Sequence, residues 1–534
     1  MGEWLLEDFV SQIVLDDLSF HFEAPHVQVF EGVSQVLHTT WRTALVGRNG
    51  RGKTTILRLL RGELVPTGGR VHMPCVTGYF PYEPLSKEGS TRDVIREAIA
   101  PFSAWEAEME VLLGAGDPIS LTRYGEIAET FEKLGGYRIE GVIEKEFGAL
   151  GMAPELLDRP FGTLSGGEQT RALIVALFAR PDRFPLLDEP TNHLDMAGRE
   201  KLGAYLARQA GFILVSHDRH VLELCADHVV SLNRSDVRVH KGSFGDWECQ
   251  MAREEEQERR SRANLQREIR SLERAARERR DWSNAKEKEK RGAFDKGRIG
   301  HLAAKQMKRA LGIERRSTQK IAEKESLLKN AEKHRRLKLV AATGTPKTLL
   351  RVSEVSIGLT NVPLVTELTF AIAVGERVAI IGPNGCGKTT LLRTITGALE
   401  PLEGEVGLSP RLVRACAYQT PLWRTGALRD HLTRAEIGET HFRSVMGCFG
   451  VHGELFERPL ESFSQGQLKK VDLCRSFVAP AHLLIWDEPM NYIDLMSREM
   501  IEDVILEQQP SMLFVEHDRR FVERVATDII ELCP

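Results

Sequence analysis

The sequence predicts an α/β protein: two tandem copies of one phosphate-binding domain joined by a long antiparallel α-helical hairpin. Three observations predict it. A glycine-rich phosphate loop occurs twice, each time directly after an apolar run. Three further motifs recur behind each loop in the same order. The stretch between the copies is basic, poor in Pro and Gly, and long enough for two extended helices.

The loops are GRNGRGKTT, Gly47 to Thr55, and GPNGCGKTT, Gly382 to Thr390. Both fit G-x-x-x-x-G-K-[ST]. The runs before them, TALVG and RVAIIG, have the apolar character of strands buried in a parallel sheet. The segments after them, ILRLLRG and LLRTITG, read as helices. Then LSGGEQ (Leu164 to Gln169) matches FSQGQL (Phe463 to Leu468). FPLLDEPTNHLD (Phe184 to Asp195) matches LLIWDEPMNYID (Leu483 to Asp494), and LVSHDR matches FVEHDR. Ser165 to Ser464 and Glu189 to Glu488 are both offsets of 299, His217 to His517 is 300, but Lys53 to Lys388 is 335. The first copy therefore carries about 36 extra residues before its LSGGEQ motif, within 83–155. AWEAEMEVL and IAETFEKLGG in that stretch read as a short helical pair, either an ordinary helical subdomain or a contact arm.

The expected domains are 1–243, with a helical arm at about 95–145; 244–345, the hairpin; and 346–534. With 534 residues, 42% hydrophobic and 28% charged, the chain has ample length for more than one core. No run reaches the roughly 18 apolar residues of a membrane span. The start, MGEWLLEDFV, lacks a basic-then-apolar export signal. None of the eight cysteines forms C-x-x-C, which disfavours zinc modules and a disulfide scaffold. A cytoplasmic protein is expected.

Net charge is −4, yet residues 251–340 hold 28 Lys or Arg against 15 Asp or Glu, a local +13 that leaves −17 on the rest. Such asymmetry points to a polyanion met by the middle of the chain. Two helices of about 40 residues, each about 60 Å long, are expected from Phe244 to Trp282 and from His301 to Leu339. Leu265, Ile269, Leu272, Ile321, Leu327 and Leu328 would form the seam. The plain alternative is a coiled-coil spacer with a solvated surface. The tip favours nucleic acid: residues 286–309 hold nine Lys or Arg against three Asp or Glu, with aromatics for base contact. Candidate RNA contacts are Lys286, Lys288, Arg291, Phe294, Lys296, Arg298, Lys305, Lys308 and Arg309.

The loop chemistry follows from residue type. Lys53 and Lys388 are expected to reach the β- and γ-phosphates. Backbone N–H groups freed by Gly47, Gly50, Gly52, Gly382, Gly385 and Gly387 would surround them, with Asn49, Thr55, Asn384 and Thr390. Thr54 and Thr389 offer hydroxyls to Mg²⁺, and Asp188 and Asp487 end apolar strands where they would hold the same ion. Glu189 and Glu488, one residue on, are placed to polarise an attacking water. His217 and His517 follow further apolar strands and would sense the γ-phosphate; the plain alternative is a satisfied core histidine.

Together these ordered motifs resemble the ATP-binding cassette superfamily, which implies two tandem ATP-binding cassette domains, ATP and Mg²⁺ as cofactors, and hydrolysis of ATP. The resemblance implies two composite sites. Ser165, Gly166 and Gly167 would complete the site of Lys388, and Ser464, Gln465 and Gly466 that of Lys53. Two cassettes joined by a basic hairpin, without a membrane span, resemble the ABC-F family. That implies a monomer without a membrane partner acting on the 70S ribosome, its hairpin at the E site against 23S rRNA and P-site tRNA. The second cassette and the tip are similar to antibiotic-resistance members of the Lsa/Vga type. This implies protection against lincosamides, pleuromutilins and group A streptogramins. Alternatives are a housekeeping ABC-F translation factor, a transporter ATPase subunit, and a DNA-repair or chromosome-organising ATPase.

The copies differ where chemistry is expected. Tyr82 occupies the place of a γ-phosphate-sensing glutamine that the second copy keeps as Gln419. Phe22 is the adenine-stacking candidate in the first copy, with Leu359 at the corresponding place. Gln465 replaces Gly166. Unequal hydrolysis rates are therefore expected.

Overall fold

The computed structural model describes residues 12–23, 27–84, 87–180, 182–192, 194–233, 236–254, 337–340, 342, 347–358, 362–451 and 453–532, with scattered positions from 256 to 274. It comprises two compact units, 1–244 with 336–534, and 245–335. In the second unit the described positions up to 274 are helical. The expected seam residues, the second hairpin helix and every candidate RNA contact from Lys286 to Arg309 lie outside the described residues, as does Leu359.

Each cassette sets a parallel sheet beside a three-stranded antiparallel one. In the first, the strands run Val76–Phe80, Arg183–Asp188, Phe212–Val215, Arg42–Gly47, His228–Leu232, Val237–Lys241, parallel except the last pair. In the second they run Arg414–Ala417, Leu483–Asp487, Met512–Val515, Arg377–Ile381, Asp528–Glu531, all parallel. Covering both faces excludes water, so the central strands are nearly continuous apolar runs: Phe212–Val215 and Met512–Val515 are buried at every position. Helices Lys53–Leu60 and Lys388–Ile395 pack Ile56, Leu57, Leu391 and Ile395 into these cores.

The extra residues of the first cassette form helices Phe102–Ala115 and Pro118–Lys133. Gly116 ends the first helix in the left-handed conformation, φ 67°. Asp117 caps the second by accepting from Ile119 and Ser120 N–H at 3.0 and 3.1 Å, and Pro118 fits the first turn, whose N–H needs no partner. Phe102, Ile127 and Phe131 are buried at the base of the pair.

One boundary shifts. Residues 337–340 and 342, placed in the hairpin by sequence, run along the second cassette. Leu337 enters its core, and Val340 exchanges backbone hydrogen bonds with Phe477 and Ala481. Burial of Leu337 decides this, and a basic composition masks it.

Candidate nucleotide sites

Both phosphate loops leave a strand at its carboxyl end, where open α/β sheets place ligands. Gly52 and Gly387 sit at φ 90° and 100° and start their helices. Gly52 is the tighter of the two, since a Cβ there would meet Val29 Cγ1 at 2.5 Å, whereas at Gly387 the nearest atom is 3.5 Å away. Lys53 Nζ folds back onto Gly47 O at 2.7 Å and Asn49 Oδ1 at 3.3 Å. Lys388 Nζ reaches Gly382 O and Pro383 O, both at 2.8 Å. Burial pulls both ammonium groups below their ordinary pKa.

Thr54 donates to Asp188 Oδ2 at 2.8 Å, bringing the two expected metal ligands of the first site together. Tyr79 also donates to Asp188 Oδ2, at 3.2 Å. In the second site Asp487 is raised to about 6 by burial and the neighbouring Glu488 charge, and a hydrogen bond from Thr389 opposes this. Its Oδ1 is buried without a protein partner. A hydroxyl, a carboxylate and an unpaired buried oxygen fit Mg²⁺, a hard cation that keeps water ligands and takes few from protein.

Glu189 and Glu488 adopt left-handed backbone, φ 53° and 48°, unusual for residues with a side chain. Each is held there by the next strand: Glu189 N–H donates to Val215 O at 2.8 Å and Glu488 N–H to Val515 O at 3.0 Å. The turn aims each carboxylate at the histidine that follows that strand. His217 Nε2 lies 3.2 Å from Glu189 Oε1, out of line for a hydrogen bond, so that oxygen is buried without a partner. His517 Nε2 lies 3.4 Å from Glu488 Oε1.

The two glutamates differ in charge state. Burial raises Glu189 to about 7, with Lys53 opposing and Asp188 assisting. Burial also acts upward on Glu488, but His517, Gln419 and Lys469 outweigh it and hold the group at about 2. His217 is pushed well below its ordinary value by burial and the Lys53 charge. Sheet register explains the Gln419 contribution. Phe80 pairs with Leu187 and Ala417 with Trp486, so Tyr82 and Gln419 stand at equivalent positions two residues on. Tyr82, however, donates to Leu173 O at 3.0 Å, away from its glutamate.

Ser165 and Ser464 are N-caps. Each accepts from the N–H three residues on and is bonded back by Glu168 or Gln467, a capping box. Gly166, Gly167, Gln465 and Gly466 thus form helix starts, favourable to anions. Gly466 faces the opposite cassette: a Cβ there would lie 3.3 Å from Tyr492 O and 3.9 Å from Asn49 Nδ2. Asn49 Nδ2 in turn donates to Tyr492 O at 2.9 Å. Across the other half, Asn384 N–H donates to Asp195 Oδ2 at 3.3 Å. Tyr492, Asp494 and Asp195 were not singled out from sequence, although their presence in the repeated NHLD and NYID segments marked them. Phe22 is partly exposed, edge-on to Phe20 with ring centroids 5.0 Å apart.

Paired sheets whose phosphate loops carry a Thr–Asp couple and a strained glutamate beside a histidine define a tandem nucleotide-binding ATPase. The family model described as "ABC transporter" matches residues 30–192 and 365–491, more than half of the chain. The chain belongs to that ATP-binding cassette family. It is 30% identical over 516 residues to "Putative ATP-binding protein YdiF" of Bacillus subtilis (strain 168), covering 92% of this chain and 75% of that one. It is 27% identical over 534 residues to "ABC transporter F family member 5" of Arabidopsis thaliana, covering 94% and 73%. ABC-F-type ATP-binding proteins are thus distant homologues. The fold is shared with the archaeal ribosome recycling factor aABCE1, solved in complex with the ribosomal stalk protein aP1. The TM-score is 0.58 at 18% identity, over 96% of this chain and 87% of that one. Among the described residues no helix is long and apolar enough to cross a membrane.

Proposed function

We propose that the protein is an ABC-F-type ATPase that acts on ribosomes, with ATP closing the two cassettes on each other. The observation that carries this reading is the contact of Asn49, in the first phosphate loop, with Tyr492 O of the second cassette, beside Gly466. A nucleotide held by Lys53 and Thr54 is then completed by Ser464, Gln465 and Gly466. One held by Lys388 and Thr389 is completed by Ser165, Gly166 and Gly167. Thr54 with Asp188, and Thr389 with Asp487, would hold Mg²⁺, which would supply charge neutralisation for the phosphates. Glu189 and Glu488 accept the proton of the attacking water, and His217 and His517 orient the γ-phosphate. ATP drives closure only as far as it binds the closed form more tightly.

The target is supported by the +13 charge of residues 251–340, by ABC-F relatives, and by the ribosome named for the aABCE1 neighbour. The hairpin is covalently joined to both cassettes, and its basic tip, Lys286 to Arg309, contacts rRNA and tRNA. The protein works as a cytoplasmic monomer. The resemblance of FSQGQLKKVDLCRSF and LLIWDEPMNYID to antibiotic-resistance members of the Lsa/Vga type supports drug protection at the peptidyl-transferase centre. Relatives in both a bacterium and a plant favour a general translation role.

The test is co-sedimentation of the Glu189→Gln/Glu488→Gln double variant with ribosomes in ATP. Retention on the particles is expected, and its absence in every nucleotide state overturns the reading. Expression in a drug-sensitive host then separates the two roles. Raised resistance to lincosamides, pleuromutilins and streptogramin A supports protection, and unchanged resistance supports the general role.

A further inference from the structure

We propose that Lys469 is a positioning residue for the nucleotide site of the second cassette, holding Gln419 and the strand end that carries Asp487 and Glu488. This rests on the ATPase reading above. Lys469 is 3% exposed, the fifth residue of the helix Gln465–Val478. Its ammonium donates to Tyr418 O at 2.6 Å, Asp487 O at 3.2 Å and Gln419 O at 3.4 Å. A lysine has three donors and no acceptor, so all its hydrogen-bonding capacity is spent on two backbone segments that flank the reacting groups.

The hold is reinforced from the same helix. Asp472 accepts from Tyr418 N–H at 2.8 Å, so both backbone groups of Tyr418 are fixed, one by each helix residue. Asp472 is itself paired with Arg475 at 2.8 Å, and Arg475 reaches back to Cys416 O. Burying an ammonium is costly without compensation. Here Asp472, Asp487, Glu516 and Glu488 supply the opposing charge. The helix begins at Ser464, beside the phosphate loop of the first cassette. The group that fixes Gln419 therefore rides on the element that meets the opposing domain.

The first cassette lacks this device. At the matching offset of 299, Thr170 replaces Lys469 and Leu173 replaces Asp472, and at the offset of 300 that pairs His217 with His517, Ser216 stands where the second cassette has Glu516. There the corresponding contact is a single hydrogen bond from Tyr82 to Leu173 O.

The experiment uses the full chain carrying Glu189→Gln, in which only the second site turns over. Adding Lys469→Met should lower kcat by about tenfold to a hundredfold, the scale of misplaced reacting groups, while KM for ATP stays within about twofold. Gln419→Ala should lower kcat too, and the two substitutions together should cost less than the product of their separate effects. A rise in KM with kcat unchanged, or fully multiplicative effects, overturns the inference. So does loss of the folded protein by Lys469→Met when Lys469→Gln, folded to the wild-type Tm, keeps full kcat. No turnover in Glu189→Gln with Lys469 intact would overturn the ATPase reading itself, and the inference with it.

Discussion

Arg219 and Glu502 form a buried ion pair that joins the two cassettes. Arg219 lies two residues beyond His217 and donates to both carboxylate oxygens of Glu502 at 3.2 Å, and to Leu495 O at 3.4 Å. Glu502 is 0% exposed and also accepts from Arg524. The pseudo-symmetric position is different: Arg519 is half-exposed and pairs with Glu523 on its own helix, and Gly203 stands where Glu502 would. The joint beside the Lys53 site is thus locked by a desolvated charge pair that its counterpart lacks.

Removing one partner of a buried pair strands the other charge. Arg219→Met should destabilise the joined cassettes by about 2 kcal/mol, less than for an isolated pair because Arg524 still contacts Glu502. A double-mutant cycle with Glu502→Met should return a coupling of about 1–3 kcal/mol. Arg519→Met should leave stability unchanged within the error of a thermal scan, because its pair is exposed and screened. Thermal scans of the four Arg219/Glu502 forms decide this, and zero coupling refutes the lock.

The two sites should respond differently to acid. A glutamate accepts a proton only when ionised, so activity falls as pH drops through its pKa. Glu189 stands at about 7 and Glu488 at about 2. With Glu488→Gln, the remaining hydrolysis at the first site should fall by half near pH 7. With Glu189→Gln, the second site should hold its rate through pH 7 and fall only near pH 6, where the expected metal ligand Asp487 takes up a proton. Initial rates between pH 5.5 and 8.5 test the contrast, and superimposable profiles would rule it out.

Gly52→Ala should be more damaging than Gly387→Ala. Both positions need left-handed backbone, which costs a side-chain-bearing residue roughly 1–2 kcal/mol. Only Gly52 adds a clash, with Val29 Cγ1 at 2.5 Å and Phe30 Cζ at 2.8 Å, worth about 1–3 kcal/mol more. Tm and ATP affinity of the two variants should rank accordingly.

Tyr82→Phe should affect stability without affecting hydrolysis. It removes one hydrogen bond to Leu173 O, worth about 0.5–1.5 kcal/mol. Gln419→Ala should lower hydrolysis at the second site, because that side chain bonds Glu488. Finding that Tyr82→Phe lowers kcat at the first site would show that the tyrosine serves the reaction after all.

Short-range patterns carried much of this protein. The spacing of glycines and Lys in GRNGRGKTT and GPNGCGKTT defined the phosphate loops, because close approach of backbone to phosphate admits few residue types. The apolar runs before Asp188 and Asp487 defined central strands, because a strand covered on both faces tolerates little else. An offset of 299 or 300 paired the motifs that follow the phosphate loops. The pairings that distinguish the two sites were decided only by tertiary structure: Asn49 with Tyr492, Arg219 with Glu502, and Lys469 with Gln419 and Asp487. Each joins residues far apart in the chain, and a buried lysine or glutamate looks in sequence like any surface charge. Its partners and its exclusion from water exist only once the sheets and helices have packed.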